Sequence, residues 1–509
     1  MRFPRSSGLL MPVFSLPNDH GIGDLGEAAF RFVDFLQSAG QSLWQLLPMG
    51  PAARGNSPYS SYSAFAGSPL FISMPELVQL GLLTQQDVED NARSTAGNTA
   101  PESQEQRPPV DYAAVRQSKK ALLHRAFQAF QNNDQSDLRQ QFENFCQTKA
   151  EWLQNFVLFE ALAIEQDDFD WSHWDSDLAG REESALLAAA DRLADEMQFS
   201  RFEQFLFHKQ WHALKEYANA RGIRIYGDMP IFVAYESVDV WANQHLYQLG
   251  SDRRPTVVAG VPPDYFSETG QMWGNPLYAW QQHADLDYSW WIRRLKQALE
   301  SFDLLRLDHF RGFESYWQIP AAAKDATSGQ WQPAPGDALF GAVRKALGDV
   351  PIVAEDLGLI TEEVHQLRAR VGFPGMRVLQ FGFEHQHDAY HRPECYPEDS
   401  VAYTGTHDNE TLMGWFNRRL AEGTSQKLIS PLLSSPSDGI HIDLITAVAK
   451  SDAHTVIFPV QDVLGLGNEA RVNTPGEPDG NWEWHCPSGV LTTELATLLR
   501  RLSSDAGRT

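Results

Sequence analysis

Short runs of apolar residues recur along the chain, and several of them end at a Gly, Pro, Asp or His residue. Continuous runs of this kind are typical of strands that are buried on both faces of a parallel sheet. Eight runs qualify: Leu9–Leu16, Leu43–Met49, Ile223–Val233, Leu304–Phe310, Ile352–Leu357, Met376–Phe381, Val401–Gly405 and Thr455–Val460. Helix-like stretches lie between them, so the pattern predicts a series of βα units.

The stretches between the runs show the spacing of helices that are apolar on one side. After Asp24, this spacing is followed by Leu25, Ala29, Phe32, Val33 and Leu36, and Gly40 lies where a glycine often ends a helix. Eight strands that alternate with helices predict an α/β fold, the (β/α)8 TIM barrel. In that fold, catalytic residues lie at the C-terminal ends of the strands.

The chain is longer than a bare barrel, which needs about 250 residues. It has 509 residues, so we expect a single catalytic barrel over residues 1–509 with large insertions around its mouth. The largest insertion spans residues 75–200, between the second and third runs. After a polar loop it shows helical periodicity, as in Ser118–Asn132, and therefore predicts one or two mainly helical subdomains.

The net charge limits the possible partners. The chain carries 66 acidic and 41 basic residues, a formal net charge of −25. Such a surface repels phosphate backbones and anionic lipids, so we expect neither a nucleic-acid partner nor a membrane partner. A neutral ligand is compatible with this charge.

Cysteine content and the N-terminal region indicate the compartment. The three cysteines, Cys146, Cys395 and Cys486, are far apart and form no CxxC pair, which argues against a disulfide framework or a zinc site. The apolar run near the N-terminus is short and contains Pro12, so it is a poor signal peptide and a poor membrane span. We expect a cytoplasmic protein.

The fourth run leads directly into a charged segment. Arg306 and Asp308 stand two residues apart and therefore share one face of the predicted strand, so Arg306 can hold the Asp308 carboxylate ionised and oriented. An ionised, oriented carboxylate is what a nucleophile requires. The alternative is that Asp308 only caps the helix that follows.

Two other runs also end in acidic residues. The fifth ends in the pair Glu355-Asp356, whose members point to opposite sides of an extended chain, and spacing alone does not decide which one faces the barrel axis. The seventh leads to His407 and Asp408, which offer a donor and an acceptor for vicinal hydroxyls. Three acidic strand ends on one barrel pattern are an improbable coincidence.

The segments that carry these acids resemble a known family. RLDHFRGF, VAEDLG and TGTHDNET are similar to the signature segments of the 4-α-glucanotransferases, also called amylomaltases or disproportionating enzymes, which are relatives of the α-amylase barrel enzymes. Further similar segments include SPYSSYSAFAG, GDMPIFV, VPPDYFSETGQMWGNPLY, GFPGMRVLQF and NTPG. The resemblance covers nearly the whole chain and is weak over about residues 80–200.

The resemblance implies a role for each acid. Asp308 is then the nucleophile, Glu355 the general acid and base, and Asp408 the group that binds sugar hydroxyls and stabilises an oxocarbenium-like transition state. The implied activity is transfer of an α-1,4-glucan segment to the 4-hydroxyl of another glucan or glucose by a retaining mechanism. Donor and acceptor glucans are the implied partners, no cofactor or metal is implied, and we expect a monomer or weak homo-oligomer.

The resemblance also implies substrate-binding residues. They are Arg306, His309, His407, Asp228, Tyr59, Asp264, Phe266, Trp273, Asn275, Phe373 and Asn473. Residues 250–280 would form a loop that covers the active site. Two of these assignments have simpler alternatives: Asp228 could be a turn residue before Pro230, and Trp273 could be a core residue.

Three other functions stay open at this stage. An α-glucan hydrolase or branching enzyme would use the same acids. A glucan-binding protein on an inactive barrel is a second possibility, although the presence of all three acids argues against it. A metal-dependent barrel enzyme is the third, with Asp19, His20 and Asp24 as ligands, but a turn and a helix start explain these residues equally well.

Overall fold

The structure is a computed structural model, and it describes residues 4–53, 55–95, 108–132, 136–263, 267–384, 389–423, 429, 432–433 and 439–508. The strands are β1 (Ser6–Leu10), β2 (Leu43–Gln45), β3 (Arg224–Met229), β4 (Val257–Val261), β5 (Gln271–Pro276), β6 (Leu304–Leu307), β7 (Ser315–Pro320), β8 (Gln330–Pro333), β9 (Ile352–Ala354), β10 (Gly375–Val378), β11 (Ser400–Tyr403) and β12 (Thr455–Pro459).

Helices fill most of the intervals between these strands. In chain order they are α1 (Glu27–Ser38), α2 (Met74–Gln79), α3 (Gln85–Thr95), α4 (Tyr112–Asn132), α5 (Ser136–Thr148), α6 (Ala150–Gln166), α7 (Ser176–Ala179), α8 (Glu183–Arg192), α9 (Ala194–Ala220), α10 (Val238–Ala242), α11 (Trp280–Asp285), α12 (Ser289–Ser301), α13 (Gly336–Leu347), α14 (Glu362–Val371), α15 (Leu412–Ala421), α16 (Ile440–Lys450), α17 (Val460–Val463) and α18 (Thr493–Asp505). No helix of the described ranges is long and apolar enough to cross a membrane.

Eight strands form one parallel sheet in the order β10-β11-β12-β1-β2-β3-β6-β9. The two outer strands also meet, because the Ala354 N–H donates a hydrogen bond of 2.9 Å to the Pro374 carbonyl. The sheet is therefore a nearly closed barrel surrounded by helices. This confirms the predicted α/β fold, a (β/α)8 TIM barrel.

A cluster of buried apolar side chains takes at least one member from every barrel strand and fills the barrel interior. Its members are Leu10, Leu43, Tyr226, Leu304, Val353, Met376, Val378, Val401, Tyr403 and Ile457. Inward-facing layers of this kind close the barrel below its mouth. Polar residues one or two positions later along the same strands can then lie above this layer and face the cleft.

Each of the eight apolar runs overlaps a barrel strand, but the first was placed too far along the chain. β1 begins at Ser6 and ends at Leu10, and residues 13–15 form a 3-10 turn. The run continues to Leu16 because this turn is buried as well, and Pro12, which has no backbone N–H, cannot extend the strand ladder.

Between β2 and β3 the chain forms the helices from α2 to α9, which begin at Met74 and end at Ala220 and so extend beyond the predicted insertion, residues 75–200. Lys119 of α4 connects this helical region to the segments next to β1 and β2 of the barrel. Its buried ammonium donates hydrogen bonds of 2.6 and 2.8 Å to the Leu70 and Ile72 carbonyls and lies 3.6 Å from Asp24 Oδ2. The contact satisfies a buried charge, which would otherwise be costly.

A second, antiparallel sheet stands beside the barrel mouth. Its strand order is β5-β4-β7-β8, and its pairs β4–β5, β4–β7 and β7–β8 are all antiparallel. The range 250–280 supplies β4 and β5. Trp273 of β5 and Trp331 of β8 project from this sheet into the cleft described below.

The last described residue joins the two ends of the chain. The Arg508 side chain is 1% exposed, and it donates hydrogen bonds to the carbonyls of Ser6, at 3.3 Å, and of Ala453, at 2.7 Å. These carbonyls flank the pair β1–β12, in which Ser6 lies opposite Thr455. The barrel seam is thus held by a guanidinium from the C-terminal end.

Candidate active site

A cleft of about 760 Å³ opens at the C-terminal ends of the barrel strands, where this fold carries catalytic residues. Asp308, Glu355 and Asp408 all line it. They follow three different strands, β6, β9 and β11, so residues up to 100 positions apart in the sequence (308 and 408) meet in one site.

Asp308 follows β6 directly and forms an ion pair with Arg306. Arg306 Nη2 lies 2.8 Å from Asp308 Oδ1, and Nη1 lies 2.8 Å from Asp228 Oδ2. Burial lowers the pKa of Arg306, but the charges of Asp228 and Asp308 outweigh it and hold this pKa well above its ordinary value. The guanidinium is therefore a permanent cation that orients the Asp308 carboxylate.

Asp228 braces this arrangement from below. It lies within β3, so the interpretation as a turn residue is wrong, and its side chain is completely buried. Besides Arg306, it accepts a hydrogen bond of 2.7 Å from the hydroxyl of Tyr59. Burial raises the pKa of Tyr59 well above its ordinary value, so the phenol keeps its proton and remains a donor.

Glu355 follows β9 and faces the cleft. It accepts hydrogen bonds from two backbone N–H groups, those of His309 at 2.7 Å and Leu357 at 2.9 Å. Burial, and then the charge of Asp308, raise the pKa of Glu355 to about 8. The carboxyl group is therefore protonated at neutral pH and can act as an acid.

Asp356 points the other way, as the two-residue period of an extended chain requires. It accepts a hydrogen bond of 2.6 Å from the Met376 N–H and lies 3.2 Å from the Arg368 guanidinium on α14. Asp356 thus links β9 to the neighbouring strand and to the helix layer. The structure therefore decides what the spacing left open, because Glu355 is the member of the pair that faces the cleft.

Asp408 lies in the loop after β11 and is held from two sides. Asn473 donates a hydrogen bond of 2.6 Å to Asp408 Oδ1, and His407 Nε2 lies 3.3 Å from the same oxygen. Burial in the cleft raises the pKa of Asp408, but His407, Asn473 and Arg306 outweigh it and hold this pKa well below its ordinary value. Asp408 is therefore ionised, and its side chain is still 43% exposed to the cleft.

Two histidines on the cleft wall have a free ring nitrogen. Among the described residues, nothing forms a hydrogen bond with His309 Nε2 or His407 Nδ1. Burial lowers the pKa of His309 to about 4, so this ring is neutral at pH 7. Trp273 meets His309 edge-on at 4.9 Å between ring centroids, and Tyr59 stacks on His407 at 5.1 Å. Each ring is thus fixed, with one nitrogen that forms no hydrogen bond to the described residues.

Comparison with known proteins now decides the family. A family model described as 4-alpha-glucanotransferase matches residues 11–492.

The chain belongs to the 4-alpha-glucanotransferase family.

The relatives cover the chain from end to end. A 4-alpha-glucanotransferase from Synechocystis sp. is 46% identical over 99% of this chain and 98% of its own length. One from Thermus thermophilus is 44% identical over the whole of both chains. Among solved structures, the amylomaltase from Streptococcus agalactiae in complex with acarbose matches with a TM-score of 0.92 at 37% identity, over 99% of each chain.

These findings confirm the family resemblance and the prediction of a glucanotransferase. They do not favour the alternative of a hydrolase or branching enzyme.

Some of the remaining predicted binding residues of the glucanotransferase line the cleft, and others do not. Trp273 lines the cleft and is 38% exposed, so it is not a core residue. Asn275 and Asn473 also line it, and Asn275 donates a hydrogen bond of 2.8 Å to the Val233 carbonyl.

Phe373 does not line the cleft. It is buried, and it packs against Phe310 and Phe340 at ring-centroid distances of 6.1 and 5.2 Å. Asp264 and Phe266 lie outside the described residues.

The sequence patterns did not single out Asp462, an acid beside the catalytic loop of the glucanotransferase. Asp462 accepts a hydrogen bond of 2.6 Å from the Thr404 hydroxyl and one of 2.7 Å from the Leu412 N–H, so it connects the two ends of the loop that carries His407 and Asp408. Burial raises the pKa of Asp462 to about 7. The signal was present, since Asp462 closely follows the eighth apolar run.

Asp24, one of the three residues considered as metal ligands, has other partners. Asp24 accepts a hydrogen bond of 2.9 Å from the Gly26 N–H and pairs with Lys119, so its position at the start of α1 is explained without a metal. Within the ranges that the structure describes, no group of three or more His, Cys, Asp or Glu side chains could hold a metal ion.

Proposed function

We propose that this 4-alpha-glucanotransferase moves a segment of an α-1,4-glucan to the 4-hydroxyl of another glucan or of glucose, with Asp308 as nucleophile and Glu355 as acid and base. The observation that carries the assignment is the contrast between two carboxyl groups in one cleft. Asp308 is paired with a buried guanidinium at 2.8 Å, whereas burial beside Asp308 raises the pKa of Glu355 to about 8. Opposed environments of this kind support the assignment of one carboxyl group as nucleophile and the other as acid.

In the first step, an Asp308 carboxylate oxygen forms a bond to the anomeric carbon while the bond to the glycosidic oxygen breaks. Glu355 gives its proton to that oxygen, and the leaving chain departs with a free 4-hydroxyl. Asp408 is ionised and opposes the positive charge that develops on the sugar. His309 and His407 supply ring nitrogens to the sugar hydroxyls.

In the second step, Glu355 is the base. It removes the proton from the 4-hydroxyl of an acceptor, whose oxygen attacks the anomeric carbon and releases Asp308. Two inversions give net retention. Water at about 55 M competes for the same adduct, but a bound acceptor can reach an effective molarity of ~10⁵ M or more, so even part of this advantage favours transfer.

Residues 250–280 are proposed to cover the acceptor side of the cleft. The range supplies β4 and β5, and Trp273 projects from it to contact His309. A cover at this position would hold the acceptor against the adduct and exclude water. Asp264 and Phe266 are proposed to take part in this cover.

The proposed partners are maltooligosaccharides, starch or glycogen as donors and glucans or glucose as acceptors. We further propose a cytoplasmic monomer or weak homo-oligomer without nucleic-acid or membrane partners, and the net charge of −25 supports these exclusions.

The test is the product pattern from maltotriose. Transfer gives glucose together with a ladder of longer maltooligosaccharides and almost no increase in reducing ends. Trp273→Ala or Phe266→Ala is expected to raise the share of hydrolysis. A wild-type enzyme that steadily increases reducing ends and makes nothing longer would contradict the proposal, and α-1,6 branches would indicate a branching enzyme.

A further inference from the structure

Arg311 is a buried cation on the cleft wall whose guanidinium has an unused donor. It lies three residues after Asp308 and is 7% exposed. Its Cζ lies 3.8 Å from the ring centroid of Trp331, and Nη1 donates a hydrogen bond to the Leu359 carbonyl. Among the described residues no acceptor contacts Nε, and no carboxylate forms an ion pair with the group.

An unpaired guanidinium in this position is costly without a ligand. Burial lowers the pKa of Arg311, and Glu314 and Glu363 only partly offset this effect from a distance. Buried polar groups are nearly always hydrogen-bonded, so a buried cation with a donor that lacks an acceptor is unfavourable. The missing acceptors are therefore expected from a molecule in the cleft.

The surroundings of Arg311 favour a sugar as that molecule. Trp331 lines the cleft and is itself supported edge-on by Trp317, at 5.1 Å between ring centroids. Leu359 also lines the cleft and is 55% exposed, an unusual position for a large apolar side chain. Two apolar surfaces beside a fixed donor match the C–H face and the hydroxyls of a glucose ring.

The position of this group relative to the acids indicates which part of the glucan it contacts. Leu359 lies four residues after Glu355, and His309, whose N–H binds Glu355, precedes Arg311 by two residues. Asp408 and Asn473 lie in loops after other strands. Because Arg311 donates to the Leu359 carbonyl, in the loop that follows Glu355, we place it on the side of the acid and base, where the leaving chain departs and the acceptor enters.

We propose that Arg311, Trp331 and Leu359 form a subsite for a glucose unit of the leaving and incoming chains, beyond the unit whose oxygen reacts. The inference rests on the proposed function and adds a determinant of acceptor length to it. An acceptor that reaches this subsite gains a hydrogen bond to a charged group and apolar contact. Such a bond contributes about 1.5–3 kcal/mol, which corresponds to roughly tenfold or more in affinity.

The test measures transfer from a maltosyl fluoride, whose small leaving group does not occupy the acceptor side. Acceptors are glucose, maltose, maltotriose and maltotetraose. In wild type, the acceptor KM should fall with length. Arg311→Gln and Trp331→Ala should each raise the KM of the longer acceptors roughly tenfold and reduce the length dependence, with a much smaller effect on glucose.

Arg221→Gln is a matched control. Arg221 also stacks on an aromatic ring, with its Cζ 3.3 Å from the Tyr217 ring centroid, but it pairs with Asp34 and does not line the cleft. This variant should keep the wild-type dependence on acceptor length. Thermal unfolding of all three variants establishes that they are folded, and Trp331→Ala reports on the subsite even if Arg311→Gln does not fold.

The outcomes separate the two proposals. Unchanged length dependence in a folded Arg311→Gln and in Trp331→Ala would overturn the subsite, as would an equal loss with glucose and with maltotetraose, because the latter indicates disturbance of Asp308. If wild type makes no elongated product from any acceptor, the proposed transferase function fails, whatever the variants do.

Discussion

The carboxyl groups of Asp308 and Glu355 are chemically alike, and their different roles depend on their neighbours. Asp308 has a guanidinium at 2.8 Å, whereas Glu355 accepts from two backbone N–H groups and has no ion pair among the described residues. Asp308→Asn retains the shape of the side chain and removes the nucleophile. Turnover of maltotriose should fall by several orders of magnitude while the thermal unfolding temperature stays close to that of wild type. A folded variant with near-wild-type turnover would contradict the assignment.

We predict that the reaction depends most on Glu355 when the leaving group of the donor must be protonated. Glu355→Gln should reduce the rate on maltotriose by roughly 10²–10⁴-fold, the usual contribution of a general acid. Fluoride leaves a glucosyl fluoride without taking up a proton, so the rate of the first step with this donor should be largely preserved. The measurement is the rate of fluoride release in single-turnover experiments on wild type and on Glu355→Gln.

Asp356→Asn is the matched control for the Glu355 experiment. The residue is adjacent and buried, but it contacts the Met376 N–H and Arg368 rather than the cleft. It should therefore affect both donors by the same factor and lower the unfolding temperature. Equal losses on both donors in Glu355→Gln would argue against its role as proton donor.

At the scale of elements, the loop after β11 depends on a residue from the start of α17. Asp462 binds both ends of this loop, at Thr404 and at Leu412. Asp462→Leu leaves two buried donors without acceptors, at a cost of about 1–3 kcal/mol each. We predict a lower kcat and a higher donor KM, because His407 and Asp408 lose their fixed position, and partial recovery in Asp462→Asn, which keeps an acceptor.

A second buried acid distinguishes positioning from general destabilisation. Asp239 accepts a hydrogen bond of 2.7 Å from the Ala64 N–H and does not line the cleft. Asp239→Leu should lower the unfolding temperature to a similar extent and leave the donor KM of the folded enzyme nearly unchanged. If Asp462→Leu behaves in the same way, Asp462 has only a structural role.

Some elements of the fold can be predicted from the sequence and others cannot. All eight barrel strands were found, because strands buried on both faces appear as apolar runs. The antiparallel sheet was missed, because β5, Gln271–Pro276, is mostly exposed and contains Gly and Asn, which are rare in strands. The choice of Glu355 over Asp356, and the burial of Phe373, depend on which way a side chain faces in the tertiary fold.

At the scale of the whole molecule, buried acids affect stability as a function of pH. Burial raises the pKa of Glu355 to about 8 and that of Asp462 to about 7. Between about pH 4, where these groups ionise in the unfolded chain, and these values, the folded form keeps protons that the unfolded form has lost. Stability therefore falls as pH rises through this window, by at most about 1.4 kcal/mol per pH unit for each proton.

The measurement is the midpoint of urea unfolding between pH 7.5 and 8.5. Histidines with lowered pKa values are almost entirely neutral in both states in this range, because a free histidine titrates near pH 6.5. The midpoint should decline in wild type. In the double variant Glu355→Gln with Asp462→Asn, neither group titrates, so the decline should be clearly smaller. An identical decline in both proteins would show that other groups cause it.

Activity is predicted to be independent of metal ions. The proposed steps use only side chains, and Asp24, one of the three residues considered as ligands, is held by Gly26 and Lys119. Extended dialysis against EDTA should leave the rate of maltotriose conversion within about twofold of the untreated enzyme. A loss that a single divalent ion restores would contradict this prediction.

The seam between β1 and β12 has a consequence for synthesis on the ribosome. Ser6 is made 449 positions before Thr455, the residue opposite it in the barrel, and Arg508 follows later still. Throughout that interval the nascent sheet has an open edge at β1, and open edges pair readily with other chains. The barrel can therefore close only after β12 has been made, and until then the edge of β1 is a place where the growing chain can pair with other chains.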